Sequence, residues 1–301
     1  MGKVRDYMTR GIVTSSLEAS LLDVERLLME QHLSRVVVVD SDGSPVGIIS
    51  EKDVARFVLT DKTTRGFEDV CAKEAMSCGV INIRPDAGMA EAAQTMIRMR
   101  TSSLIVKDDE PKGIVTKSDM VKYLCLEGTG LYSVGRFMTP NPVTVNPTQS
   151  IFLTIELMSQ NAISRIIVVD HDKKLQGIIT LGDFSQMSAY SLIKLSERLL
   201  IGKGETPASF LKRAGGSLDV KVKDFMTQHP FTSGHDSDLA DAARLMMKHN
   251  ISGLPVTDDR ARLVGVVSKT DVTRAASYES RGATLRSEIP RQSTNQFCPA
   301  S

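Results

Sequence analysis

This sequence has no long apolar run. Segments such as Val36 to Val39 fall far below the ~18 residues that a membrane helix needs. Cysteine is scarce as well. Cys71, Cys78, Cys125 and Cys298 are irregularly spaced, form no CxxC pair and have no histidine at ligand spacing, which argues against structural zinc or a disulfide framework. Charge of either sign is not in excess: 37 lysines and arginines face 36 aspartates and glutamates, so no global field draws the chain to nucleic acid or to an anionic membrane. The polar N-terminus lacks a signal-peptide pattern, and Asp6 stands where an acylation motif wants Ser or Thr. A cytoplasmic protein is expected. The five histidines (His32, His171, His229, His235, His249) sit at non-equivalent places and partner no recurring Ser, Cys or Asp, so catalysis is not expected either.

What the chain does contain is a repeat. Its 301 residues, 41% apolar and 24% charged, suit a globular protein of about two domains. Met8, Met76, Met138 and Met226 anchor four copies, each followed by Thr or Ser. Thirteen residues on stand Leu21, Met89, Ile151 and Leu239; twenty on, Leu28, Met96, Met158 and Met246; twenty-six on, Ser34, Ser102, Ser164 and Ser252. Four copies in register define a repeat architecture. Short β-rich runs follow (Val36 to Val39, Leu104 to Val106, Ile166 to Val169, Leu254 to Val256), then a polar turn, then Gly47, Gly113, Gly177 and Gly265 opening a second strand. Each copy therefore reads as strand, helix, strand, strand, helix. The short turn predicts antiparallel pairing, with helices covering one face of a small sheet, an α/β fold. One copy of about 55 residues buries too little surface to be stable alone, so copies should fold in pairs.

The segments Gly47-Ile-Ile-Ser-Glu-Lys-Asp53, Gly113-Ile-Val-Thr-Lys-Ser-Asp119, Gly177-Ile-Ile-Thr-Leu-Gly-Asp183 and Gly265-Val-Val-Ser-Lys-Thr-Asp271 resemble the GhhT/SxxD element of CBS domains. Leu33-Ser-Arg-Val-Val-Val-Val-Asp40 and Ile163-Ser-Arg-Ile-Ile-Val-Val-Asp170 resemble the family's strand motif. The resemblance covers residues 2 to 278. It implies that repeats pair about a pseudo-twofold axis into Bateman modules with ligand clefts between them, and that two modules form a disc similar to the γ regulatory subunit of AMP-activated protein kinase. The modules are expected at 1–129 (repeats about 2–60 and 70–127) and 130–278 (repeats about 132–189 and 219–278), folding separately about a small, flexible junction at Gly128 to Gly130. The resemblance further implies AMP, ADP, ATP or S-adenosylmethionine as ligand, and an effector protein regulated in trans.

Candidate site residues follow from the repeat. Ser50, Thr116, Thr180 and Ser268 stand at strand-to-helix junctions, three residues before Asp53, Asp119, Asp183 and Asp271. This spacing makes a helix cap. It also suits a ligand, because a helix start receives phosphate and a carboxylate can accept both ribose hydroxyls. Arg35 and Arg165 precede a strand in repeats 1 and 3, where repeats 2 and 4 have Ser103 and Gly253. Guanidinium matches phosphate oxygens two-pronged, whereas the alternative is a solvated arginine at a strand edge. Lys117 and Lys269 follow the hydroxyl residue only in repeats 2 and 4, so Arg35 with Lys117, and Arg165 with Lys269, would supply two cations to one cleft. Thr14, Thr144 and Thr232, with Asn82, lie six residues after the anchors, where the family places a polar ligand contact; a plain β-favouring role is the alternative. Ser164 lies beside Ile163 in the turn expected to face an adenine ring.

Two segments stand apart. Residues 190–218 form an insertion with Leu192, Leu195 and Leu199 at helical spacing, read as a helical linker that packs on its own module or docks a partner. Residues 279–301 read as a disordered tail. The basic excess in the insertion is too mild to argue nucleic acid. The sequence therefore points to a non-catalytic sensor of adenine nucleotides, with a homodimer compatible. An S-adenosylmethionine or nucleic-acid binder on the same scaffold, or a ligand-free structural adaptor, are the alternatives. Arg35 and Arg165 favour phosphate over a cationic sulfonium.

Overall fold

The computed structural model describes residues 2–60, 65–186 and 221–278; the expected linker and tail lie outside them. Repeat 1 runs α1 (Val4–Tyr7), β1 (Thr9–Arg10), β2 (Thr14–Ser16), α2 (Leu21–Glu30), β3 (Arg35–Val39), β4 (Pro45–Ser50) and α3 (Glu51–Thr60). Repeat 2 follows with α4 (Ala72–Ala75), β5 (Ser77–Cys78), β6 (Asn82–Ile83), α5 (Met89–Arg98), β7 (Ser103–Lys107), β8 (Pro111–Thr116) and α6 (Lys117–Glu127). Repeat 3 holds α7 (Val134–Phe137), β9 (Thr139–Pro140), β10 (Thr144–Val145), α8 (Ile151–Gln160), β11 (Arg165–Val169), β12 (Leu175–Thr180) and α9 (Leu181–Gln186). Repeat 4 holds β13 (Thr227–Gln228), β14 (Ser233–Gly234), α10 (Leu239–Lys248), β15 (Gly253–Thr257), β16 (Leu263–Ser268) and α11 (Lys269–Ala276).

Local chemistry explains the recurring ends. Ser20 starts α2 by accepting the Asp23 N–H at 3.1 Å, and Asp238 starts α10 by accepting the Ala240 N–H at 3.0 Å. The first long helix of each repeat (α2, α5, α8 and α10) ends alike. His32, Arg100, Ala162 and Asn250, each twenty-four residues past its anchor, take positive φ of 50–52°. The next N–H then reaches back to a carbonyl of the last turn, as Leu33 does to Leu28 at 2.8 Å and Ile251 to Met246 at 3.0 Å. His32 is thus a helix-ending residue.

The strands confirm the α/β reading and add a swap that the repeat pattern did not reveal. Inside each repeat the two main strands pair antiparallel, for example Val37↔Ile48, and the short first strand lies parallel at the edge, as in Thr14↔Val37. The anchor strand leaves its own repeat. β1 joins the sheet of repeat 2 (Arg10↔Gly113) and β5 that of repeat 1 (Gly47↔Cys78), while β9 and β13 do the same between repeats 4 and 3. This accounts for the repeated glycine: a Cβ on Gly113 would collide with the Thr9 carbonyl, and one on Gly47 with the Met76 sulfur.

Both faces of each sheet are covered. Val36 and Val38 face the helices with Leu21, Val24 and Leu28, whereas Val37, between them, meets Ile105 and Ile114 of repeat 2. Period-two alternation therefore serves a helix layer on one side and the paired sheet on the other, rather than the helix layer alone. Between the pairs, α6 packs on α10 and α11, and α5 on α11, while α3 packs on α9. Repeats touch in the cycle 1–2–4–3, which gives the disc. The junction is not small. Val121, Leu124 and Cys125 of α6 share one buried cluster with Leu239, Ala242, Met246 and Val272 of repeat 4, and Gly130 N–H donates to Asp238 at 2.7 Å.

Candidate ligand clefts

All four Asp residues cap the helix they enter. Oδ2 of Asp119 accepts from Thr116 N–H at 2.7 Å and Thr116 Oγ1 at 2.9 Å; Asp183 does so from Thr180 at 2.6 and 2.9 Å, and Asp271 from Ser268 at 2.8 and 2.7 Å. Asp53 accepts from Ser50 N–H at 2.9 Å and from the Ser50 hydroxyl. The second oxygen differs among copies. Oδ1 of Asp53 accepts from Arg56 at 3.0 Å and Ser77 at 2.9 Å, and that of Asp271 from Arg274 at 2.7 Å. Those of Asp119 and Asp183 accept nothing among the described residues.

The arginines cross to the paired repeat. Arg35 donates to the Ser102 carbonyl at 3.0 Å and to its hydroxyl at 3.4 Å, and Arg165 donates to the Ser252 hydroxyl at 2.9 Å. These are not solvated edge residues: Arg35 Nε and Arg165 Nη1 are buried and bond to no described residue. Glycine at 253 is what admits Arg165, since a Cβ there would overlap its guanidinium. Ser103 and Gly253 occupy the matching strand positions opposite Thr116 and Ser268, so the two clefts of each pair differ in charge.

Lys117 and Lys269 do not stay within their own pairs as expected. Lys117 Nζ donates across the junction to Thr270 Oγ1, and Lys269 Nζ to Ser118 Oγ, each at 3.0 Å. Their cations therefore meet at the middle of the molecule. There, desolvation pushes the Lys117 ammonium down to about 8, Asp271 opposing and Arg35 and Arg274 reinforcing. Lys52, missed by the sequence reading, joins them. Its ammonium is pushed down to about 8 by desolvation and then by Arg165, Lys117, Arg35 and Lys269, although the residue as a whole keeps solvent access. Burial lowers Arg165 to about 10 against the pull of Asp271, and desolvation lowers Lys269. Burial raises Asp119 and Asp271, while Thr116, then Arg35, and Arg274, then Ser268, respectively pull them back. A cluster of depressed cations favours an incoming anion, which would relieve their repulsion.

The remaining candidates are placed less centrally. Thr14 and Thr144 open edge strands and Thr232 precedes one, all exposed; Asn82 is also exposed on an edge strand. The carbonyl of Ser164 accepts the Leu181 N–H at 3.0 Å, as that of Ser102 accepts Lys117 N–H at 3.1 Å. Besides Lys52, the sequence reading passed over Arg56 and Arg274, although an acid three residues before an arginine on a helix is a visible pairing signal. Among the described residues Cys71, Cys78 and Cys125 form no disulfide, no group of three or more acidic, Cys or His side chains is set to hold a metal ion, and no helix is long and apolar enough to cross a membrane.

Four copies of one α/β unit, paired by exchanged strands and bringing helix-capping carboxylates towards crossing arginines, define a tandem-repeat fold. The CBS-domain family model matches residues 4–60, 72–126, 134–189 and 222–278. The chain belongs to the CBS-domain family. It is 29% identical over 157 residues to CBSX1, a chloroplastic CBS domain-containing protein of Arabidopsis thaliana, which aligns 49% of this chain and 65% of that one. It is 26% identical over 298 residues to MJ1404 of Methanocaldococcus jannaschii, covering 95% of this chain and 64% of that one. The chain thus spans about two thirds of the length of these relatives. The crystal structure of MJ1225 from the same archaeon, proposed as a homologue of the γ subunit of AMP-activated protein kinase, superposes with a TM-score of 0.75 at 20% identity, covering 91% of this chain and 99% of that one.

Proposed function

We propose that the chain is a non-catalytic regulatory protein that binds adenine nucleotides (AMP, ADP or ATP) in clefts between paired repeats and passes their occupancy to an effector protein. Two modules, residues 1–129 and 130–278, supply the clefts. The observation that carries the reading is the convergence of Arg35, Lys52, Lys117, Arg165 and Lys269, with two buried guanidinium nitrogens lacking partners among the described residues, beside carboxylates held at helix starts. Buried polar groups demand partners, and a phosphate supplies acceptors to several at once. The carboxylates suit ribose hydroxyls, and the cations disfavour the sulfonium of S-adenosylmethionine.

Thermal unfolding with adenosine, AMP, ADP, ATP and S-adenosylmethionine tests this. Phosphorylated ligands should raise the melting temperature most, since a ligand at 100 times its dissociation constant stabilises by ~2.7 kcal/mol. A shift with S-adenosylmethionine alone would transfer the site to that ligand. No shift with any of them would leave a structural adaptor.

A further inference from the structure

Resting on the nucleotide reading, we propose that the four clefts are unequal and that phosphorylated adenosine is taken first by the cleft of Asp119, because Asp119 alone combines a free carboxylate oxygen with flanking cations. A carboxylate offers about four acceptor positions. The cap uses two of them in every repeat. Arg56 and Ser77 use the other two on Asp53, and Arg274 uses a third on Asp271. A ribose diol brings two O–H donors and needs two acceptors. Among the described residues two remain on Asp119 and on Asp183, one on Asp271 and none on Asp53.

The phosphate end separates the two open carboxylates. Arg35 reaches Ser102, the residue whose carbonyl holds the first N–H of α6, and is near enough to Asp119 to pull on its titration. Lys269 adds a second cation from across the junction, its Nζ donating to Ser118 on the first turn of the same helix at 3.0 Å. In the Asp183 cleft the equivalent positions are Gly253 in the paired repeat and Glu51 at the start of α3 across the other edge, so no cation stands at either place. That cleft suits an uncharged nucleoside. The Asp271 cleft has the opposite fault: Arg165 and Lys117 flank it, but Arg274, three residues along α11, occupies its carboxylate. Arg274 thus acts as a built-in competitor for ribose.

Calorimetric titration of the full chain with AMP reads this out. Wild type should show one highest-affinity site, weakened roughly 10- to 150-fold by Asp119→Ala, with Asp53→Ala costing far less. Arg274→Met should raise the number of high-affinity AMP sites from one to two, since it frees the Asp271 carboxylate between cations already in place. Two or more equal sites in wild type, or Asp119→Ala that melts as wild type and binds AMP as well, would overturn the inequality. If Asp119→Ala fails to fold for loss of its helix cap, the Arg274→Met stoichiometry decides: no gain of a site overturns the proposal. Absence of AMP, ADP and ATP binding by wild type would instead sink the nucleotide reading itself.

Discussion

The two edges along which the pairs of repeats meet are built differently. Where repeats 2 and 4 meet, α5 and α6 lie against α10 and α11, and Val121 and Leu124 are sealed among Leu239, Ala242, Ala243 and Ala275. Arg244 reaches Thr129 at 3.3 Å and Gln94 reaches the Ser277 carbonyl at 2.9 Å, adding polar ties across the same edge. Where repeats 1 and 3 meet, α3 packs on α9, with Ala55 in a cluster containing Ile151 and Leu181; Leu22 of α2 and Leu153 of α8 are exposed. The cause is legible in one helix position after another. Repeats 2 and 4 carry Ala90, Ala92, Ala93 and Ala240, Ala242, Ala243, where repeat 1 carries Leu22, Val24, Glu25 and repeat 3 carries Thr154 and Ile155 at the last two of these positions. Small side chains let helices approach closely; bulky or charged ones hold them apart. Among the described residues one edge is therefore a joint core, and the other a lighter contact, on which ligand-driven movement would act at lower cost.

The contrast can be broken most severely at Leu124, which is fully buried. Leu124→Ala should cost about 2–5 kcal/mol, whereas Leu22→Ala on the exposed face of α2 should change stability by no more than about 0.5 kcal/mol, both read by urea unfolding. For the same reason residues 1–129 alone should self-associate through uncovered Val121 and Leu124, seen as an early-eluting species on gel filtration. A monomeric, cooperatively unfolding fragment would show that the joint core contributes little. Next comes Ala242→Leu, where overpacking should cost about 1–3 kcal/mol. A neutral result would mean that the alanines are not what sets the close approach.

The smallest effect is electrostatic and lies between the edges. The ordinary lysine value is 10.5, and the folded chain holds Lys52 and Lys117 at about 8. Between these values the unfolded chain keeps protons that the folded chain has released, so stability rises with pH across that window. Below about 8 both forms are protonated and the repulsion is felt in full. Melting temperature should climb by a few degrees from about pH 7 to about pH 9.5, and Lys117→Met should flatten the climb. A parallel profile in the variant would remove Lys117 from the cluster.

Much of this molecule was determined by sequence alone. The anchor methionines, the register serines and the Gly-to-Asp elements specified four α/β units, their helix caps and the antiparallel core strands, because these depend on contacts within a few residues or across one short turn. Alternation of Arg35 and Arg165 with Ser103 and Gly253 already marked the clefts of a pair as unequal. Tertiary structure decided the rest. That the anchor strand joins the other repeat's sheet, that Lys117 and Lys269 reach over the junction to Thr270 and Ser118, and that Lys52 enters their cluster all depend on which repeat lies beside which. A repeat pattern gives each copy the same local instructions, and so carries no direct record of its neighbour. Whether an aspartate keeps acceptors for a ligand depended on the same kind of detail, since Arg56 and Arg274 satisfy their carboxylates only once the helices that carry them have formed.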